Sequence, residues 1–327
     1  MGPGEKDMSL IERAVGRLDP REGAGRSSSR NPMDQPNDGS TTGHAGQAQE
    51  GSKATGEKAG IVSGAPVPGE RGYAELDINS LKAEGFLTLA DDRNPVAEEF
   101  RIIKRPLLAN AFGRGAELVE QGNLIMVTSA LPGEGKTFTA VNLAMSIALE
   151  MDKTVLLVDA DVGRARIHKL FGMSMGPGLI DLLLDRSLDV SNVITKTNIP
   201  KLRVITMGRY HPHSNELLAS AEMLRLVTEL AQRYPDRVVI FDAPPLLVTS
   251  ESVVLSGLMG QIVFVVRSGR TLQGSVNAAL ELLDSNKPIG LVLNKVSRGI
   301  AGYGASYGSG YGYGYGYGYG HGYHRKA

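Results

Sequence analysis

The 327-residue chain contains no cysteine. That excludes disulfides, thiolate metal ligands and thiol nucleophiles, and it suits a reducing cytoplasm. An excess of either charge is also missing, since 35 Lys and Arg stand against 35 Asp and Glu. No overall field draws the chain to nucleic acid or to an acidic membrane, so no nucleic-acid partner is expected. Long apolar runs are absent too. Nothing approaches the roughly 20 apolar residues that span a bilayer, and the opening MGPGEKDMSLIERAVGRL has no block suited to a secretion signal. The expected location is cytoplasmic, with any attachment to the inner membrane peripheral and made through a partner.

What is present is a 42% hydrophobic composition concentrated between Phe100 and Val296, which implies one globular domain with tails. Residues 1–90 are expected to form a short helix and a disordered linker. Leu10, Ile11, Val15 and Leu18 sit at helical spacing. From Arg21 to about Gly72 the chain is Gly, Ser, Pro, Asn, Gln and Lys, with little to bury against the entropy of ordering. Residues 91–298 then alternate helical patterns with the runs LIMVTS, TVLLVDAD, LRVITM, RVVIFDAP, QIVFVV and IGLVLNKV. Unbroken apolar strands separated by helices imply a mainly parallel α/β sheet covered on both faces, with ligands at the carboxyl ends of the strands.

Polar residues collect at those ends. LIMVTS runs into ALPGEGKT, Ala130 to Thr137, followed by a helical pattern. This is the P-loop order of strand, glycine loop and helix, with Ala130 in place of the first glycine. Gly133 and Gly135 allow backbone N–H groups to converge on phosphate, and a helix starting near Lys136 adds its dipole. Pro132, Glu134 and Phe138 complete the expected nucleotide-binding stretch. Lys136 is expected to reach the β and γ phosphates and Thr137 to ligate Mg²⁺. Asp159 and Asp161 lie two apart at the end of VLLVDAD and suit a hydrated Mg²⁺ and an incoming hydroxyl; either could take its proton. Asp242 ends VVIFD in the manner of a Walker B carboxylate. The metal set expected is Thr137, Asp161 and Asp242. In LVLNKVS, Asn294 is a nucleotide-binding candidate, but Ser297 stands where an aspartate would bind a guanine edge. That disfavours GTP and leaves ATP.

With these motifs in their order, and with the tyrosine-rich C-terminus, the chain resembles the bacterial tyrosine kinases of exopolysaccharide synthesis. EEFRIIKRPLLANA and NELLAS look most like the branch associated with exosortase and PEP-CTERM sorting. The resemblance implies ATP- and Mg²⁺-dependent autophosphorylation in trans within a homo-oligomer, with a ring as the candidate arrangement. It also implies a membrane chain-length-determinant activator and a phosphotyrosine phosphatase as partners. The family's E-x-x-R-x-x-R oligomerisation helix corresponds to Glu98, Arg101 and Lys104, which spacing of three places along one helix face. In the family's D-x-D-x-R motif, Gly163 takes the arginine position and Arg164 follows. Cell-division and partition ATPases share the fold but carry a second P-loop lysine where this chain has Leu131.

Residues 299–327 carry Tyr303, Tyr307, Tyr311, Tyr313, Tyr315, Tyr317, Tyr319 and Tyr323 among glycines. Intervening glycine opposes helix and packed core, so a flexible acceptor tail is expected. About 20 such residues have an r.m.s. reach of roughly 25 Å, enough to meet a neighbouring subunit's site. Alternative readings are a switching ATPase of the MinD/ParA kind and a non-catalytic scaffold that uses the tail for assembly.

Overall fold

The computed structural model describes residues 72–88, 95–113, 118–234 and 236–297. The Tyr/Gly-rich tail and the helix expected over Met8 to Leu18 lie outside them. An eight-stranded sheet has the order β1-β4-β5-β3-β6-β2-β7-β8. Its strands are β1 (Tyr73–Ala74), β2 (Leu124–Ser129), β3 (Thr154–Asp159), β4 (Thr195–Thr197), β5 (Leu202–Ile205), β6 (Arg237–Asp242), β7 (Gln261–Arg267) and β8 (Ile289–Asn294). Every pairing is parallel except β4 with β5.

The unbroken apolar runs become the central strands because both faces of the sheet are covered. Alternate residues feed opposite layers, as the two-residue period of a strand requires. Leu124, Met126, Leu156 and Val158 join one core, and Ile125, Val127, Val155 and Leu157 join the other. On the first side lies α7 (Ala221–Arg233), whose buried Met223, Leu226, Val227 and Leu230 mark one helical stripe. Its N-terminus is capped by Ser220, whose hydroxyl accepts from the Met223 N–H at 3.3 Å. On the second side lies α3 (Lys136–Ala148), buried continuously from Thr139 to Ala148.

Helix α3 is buried all round because further chain covers it. The 18-residue helix α2 (Pro95–Phe112) packs Phe100 and Leu107 there. So does the segment around α1 (Ile78–Ala83), with Leu76, Leu81, Phe86 and Leu87 almost wholly enclosed. Here the sequence-based boundary is corrected. The linker was expected to extend to residue 90, whereas residues 73–88 belong to the domain: β1 pairs with β4, and the Leu87 N–H donates to Asn142 Oδ1 at 2.6 Å. Burying each such Leu or Phe contributes about 1.5–3 kcal/mol, so the segment is a component of the core. Among the described residues no helix is long and apolar enough to cross a membrane.

Candidate nucleotide and metal site

The carboxyl ends of β2, β3, β6 and β8 converge on a cleft of about 1170 Å³. Its floor is the loop between β2 and α3. Gly133 and Gly135 have φ of 82° and 108° there, the left-handed backbone that glycine adopts without strain. At Gly135 a Cβ would also lie 1.9 Å from Asn294 Nδ2. Glycine is therefore required twice over, for conformation and for space.

Lys136 and Thr137 open α3 at the base of the cleft. The Lys136 ammonium lies 3.7 Å from Asp161 Oδ2, and both side chains are almost fully buried. The Thr137 hydroxyl donates to Asp242 Oδ2 at 2.6 Å. Strands β3 and β6 are aligned so that Asp159 and Asp242 are direct neighbours. Asp159 Oδ2 accepts from the N–H groups of Arg166 and Ile167 at 3.1 and 3.0 Å, tying β3 to the start of α4 (Ile167–Leu170). Asp161 lines the cleft, whereas Asp159 is completely enclosed. A spacing of two would point both to one side in a continuing strand; instead Asp161 faces the cleft and Asp159 is turned inward.

Two buried carboxylate oxygens, Asp159 Oδ1 and Asp242 Oδ1, have no hydrogen-bond partner. Burial pushes Asp242 up to about 7 despite the Thr137 hydrogen bond and nearby Lys136, with Asp161 adding repulsion. Burial also raises Asp159 well above the usual carboxylate range, and the facing Asp242 reinforces the effect. Such crowding suits a cation. No three acidic or histidine side chains among the described residues could hold an ion by themselves. The Thr137 hydroxyl set against the Asp242 carboxylate beside the glycine loop fits Mg²⁺, which binds through one or two carboxylates together with substrate phosphates and water. Thr137, Asp242 and Asp161 have the hard oxygen donors such an ion takes.

The remaining predicted residues divide by what they touch. Pro132, Phe138 and Asn294 line the cleft. Glu134, expected to bind nucleotide, turns its carboxylate away. It is 2% exposed, accepts from the Leu131 N–H at 2.7 Å and is hydrogen-bonded to the Thr271 hydroxyl. Its backbone carbonyl accepts from Asn294 Nδ2 at 2.9 Å, and that of Gly133 from Lys295 Nζ at 3.0 Å. With two carbonyls held from the β8 side, the loop is braced from behind. Thr271 lies in no motif, and only the fold reveals its part. Phe86 is a second omission: it lines the cleft and packs its ring 5.2 Å from that of Phe138.

Helix α2 corrects the proposed oligomer contact. Glu98 and Arg101 pair at 3.0 Å on the exposed side. Lys104 does not share that face. It is buried, with its ammonium 2.6 Å from the Ser146 carbonyl and 2.6 Å from Glu150 Oε1. A lysine stem covers the apolar surface of α3 while its head finds the carbonyls at that helix's C-terminus.

Comparisons with known proteins agree with this geometry. The CobQ/CobB/MinD/ParA nucleotide binding domain family matches residues 125–302. The tyrosine-protein kinase YwqD of Bacillus subtilis is 32% identical over 210 residues, covering 64% of this chain and 84% of that protein. The tyrosine-protein kinase ptk of Acinetobacter johnsonii is 32% identical over 185 residues, or 56% of this chain, which spans only 25% of that longer relative. Among solved structures, the kinase domain of Escherichia coli tyrosine kinase ETK aligns with a TM-score of 0.58 and 28% identity, over 75% of this chain and 94% of that one.

Proposed function

The chain belongs to the tyrosine-protein kinase family within the CobQ/CobB/MinD/ParA nucleotide-binding domains, and on that premise we propose that it transfers the γ-phosphoryl group of ATP to tyrosines. The acceptors are Tyr303, Tyr307, Tyr311, Tyr313, Tyr315, Tyr317, Tyr319 and Tyr323 of another copy in a homo-oligomer. The observation that carries this reading is the convergence of Lys136, Thr137 and Asp161 on one cleft, with Asp242 bonded to Thr137 just beneath it and its other carboxylate oxygen unpaired.

Phosphoryl transfer relies mainly on positioning and charge neutralisation. The N–H groups of residues 133–137 cradle the phosphates, and Lys136 neutralises charge between the β and γ groups. When bound, Mg²⁺ adds further neutralisation; Thr137, Asp242 and Asp161 would hold it. Asp161, the carboxylate on the cleft, is the favoured acceptor of the phenol proton, and Asp159 holds the following segment in place. The kinase domain in this reading is residues 73–298, and the acceptor tyrosines follow it in sequence.

The wider setting is part of the same proposal and is supported by the resemblance of the chain's motifs to that family. It comprises control of exopolysaccharide polymerisation or export, an activator of the chain-length-determinant class at the inner membrane, a phosphotyrosine phosphatase, and the exosortase-associated branch. Leu131 in place of the second P-loop lysine sets the chain apart from a partition-type switch. Incubation with labelled ATP and Mg²⁺, alone and with the activator's cytosolic segment, tests the reading. Label on tail tyrosines is expected, and it should disappear in Lys136→Met. Release of free phosphate with every tyrosine unmodified would instead identify a switching ATPase.

A further inference from the structure

The cleft has a feature that the proposed transfer does not use. Arg164, Arg166 and Lys169 line it and are exposed, on the segment that leads from Asp161 into α4. None makes an ion pair within 4 Å among the described residues, although the Arg166 charge is near enough to act on the buried Asp242. The cleft's other charges are differently placed: Lys136 and Asp161 face each other, Lys295 bonds to the Gly133 carbonyl, and Glu84 lines the wall near α1. Three unpaired cations on one rim make a local positive field on a chain whose formal net charge is zero.

The position of that rim bears on its ligand. Phosphates seated on the glycine loop are already provided with backbone N–H groups and Lys136. Asp161, beside Lys136, marks the end of the site where the γ phosphate would lie, so the segment running on from it borders the acceptor's approach. The unmodified acceptor offers nothing anionic to these residues. Residues 299–327 contain no Asp or Glu and include the cations Arg325 and Lys326. The anion this segment acquires is phosphotyrosine.

We propose that Arg164, Arg166 and Lys169 form a phosphotyrosine subsite, so that the favoured substrate is an acceptor already phosphorylated next to the tyrosine that reacts. The proposal rests on the kinase reading above. Tyr311, Tyr313, Tyr315, Tyr317 and Tyr319 follow one another at every second residue. In an extended acceptor such tyrosines project to one side and stand about 7 Å apart. One phosphate can therefore rest on the rim while the neighbouring phenol enters. In each transfer a bond forms between the phenol oxygen and the γ phosphorus as the bond from phosphorus to the β–γ bridging oxygen breaks. ADP leaves, and the phenol proton passes to Asp161 or solvent. The subsite takes no part in that exchange; it holds the product of the previous one through charge-assisted hydrogen bonds.

The test compares two synthetic peptides, GYGYGYG and the same peptide with its middle tyrosine phosphorylated, as acceptors for the full chain under conditions that label its own tail. Initial rates per available tyrosine are followed by mass spectrometry. The phosphorylated peptide is expected to show a kcat/KM about tenfold higher, equivalent to about 1.4 kcal/mol, with the advantage shrinking as salt is raised. In Arg164→Gln/Arg166→Gln the ratio between the two peptides should fall to about one, whatever the absolute rate; Lys169→Gln provides a second variant, and thermal melts verify that both fold. Equal kcat/KM for the two peptides with the unaltered protein overturns the subsite and leaves the kinase reading intact. A preference that survives in both variants also overturns it. Absence of label on both peptides and on the tail removes the kinase reading, and the subsite with it.

Discussion

The hydroxyl of Thr137 and the carboxylate of Asp242 are 105 positions apart in sequence and 2.6 Å apart in space. One opens the phosphate-binding helix and the other closes the neighbouring strand, so a metal between them would connect loop and sheet. Thr137→Val should weaken apparent Mg²⁺ affinity by about 10–100-fold in titrations of initial rate. Thr137→Ser, which keeps the oxygen, should recover most of it.

The acidic cluster makes the metal-free protein sensitive to pH. With Asp242 raised to about 7 and Asp159 raised as well, the folded state retains protons that the unfolded chain releases above 3.8. The contribution of these two groups to stability without metal therefore falls as pH rises from about 4 to about 7. Thermal melts in chelator should show that decline, a flatter one in Asp242→Asn, and its reversal by Mg²⁺ with ADP.

The brace behind the loop gives a third expectation. Thr271→Val removes the hydroxyl bonded to Glu134 while keeping its shape, so the loop N–H groups lose a fixed orientation. A fall in kcat/KM for ATP on the order of tenfold is expected, since misplacement remote from the chemistry is costly. Restoration in Thr271→Ser, with the melting temperature unchanged, would separate positioning from general stability. A rate unaltered in Thr271→Val would mean that the bond from Thr271 to Glu134 braces nothing of consequence.

Lys104→Met should act on stability and not on assembly. It leaves the Ser146 carbonyl without its donor in a buried setting, which costs about 1–3 kcal/mol. Glu150, about a third exposed, is rehydrated at little cost. Urea unfolding should register the loss, and sedimentation of the folded variant should match the unaltered protein. Arg101→Glu, on the exposed face of α2, should shift the sedimentation profile toward smaller species.

The sheet and its phosphate loop were legible in sequence because their signals are local. Four to six apolar residues in succession, as in LIMVTS and VVIFD, have few resting places other than a strand covered on both faces. A glycine loop between strand and helix is likewise a short-range statement. Strands β1 and β4 carry no signal in sequence because two and three residues form no run; β1 exists through pairing with the distant β4, and β4 through pairing with β5 a few residues on. Residues 73–88 read as linker in sequence for the same reason, since what orders them is the far-off surface of α3 that Phe86 and Leu87 cover.

By itself, then, the chain's order of residues determined the parallel sheet, the phosphate loop and the presence of acidic strand ends. These rest on backbone conformation and on apolar patterning over a few neighbouring residues. Tertiary structure alone decided the direction in which each polar group faces. It turned Glu134 toward Thr271, enclosed Asp159 while leaving Asp161 on the cleft, and drew Lys104 onto the end of α3. A carboxylate or an ammonium will take whichever partner the fold brings within about 3 Å, and that partner is set by packing between segments that no local pattern links.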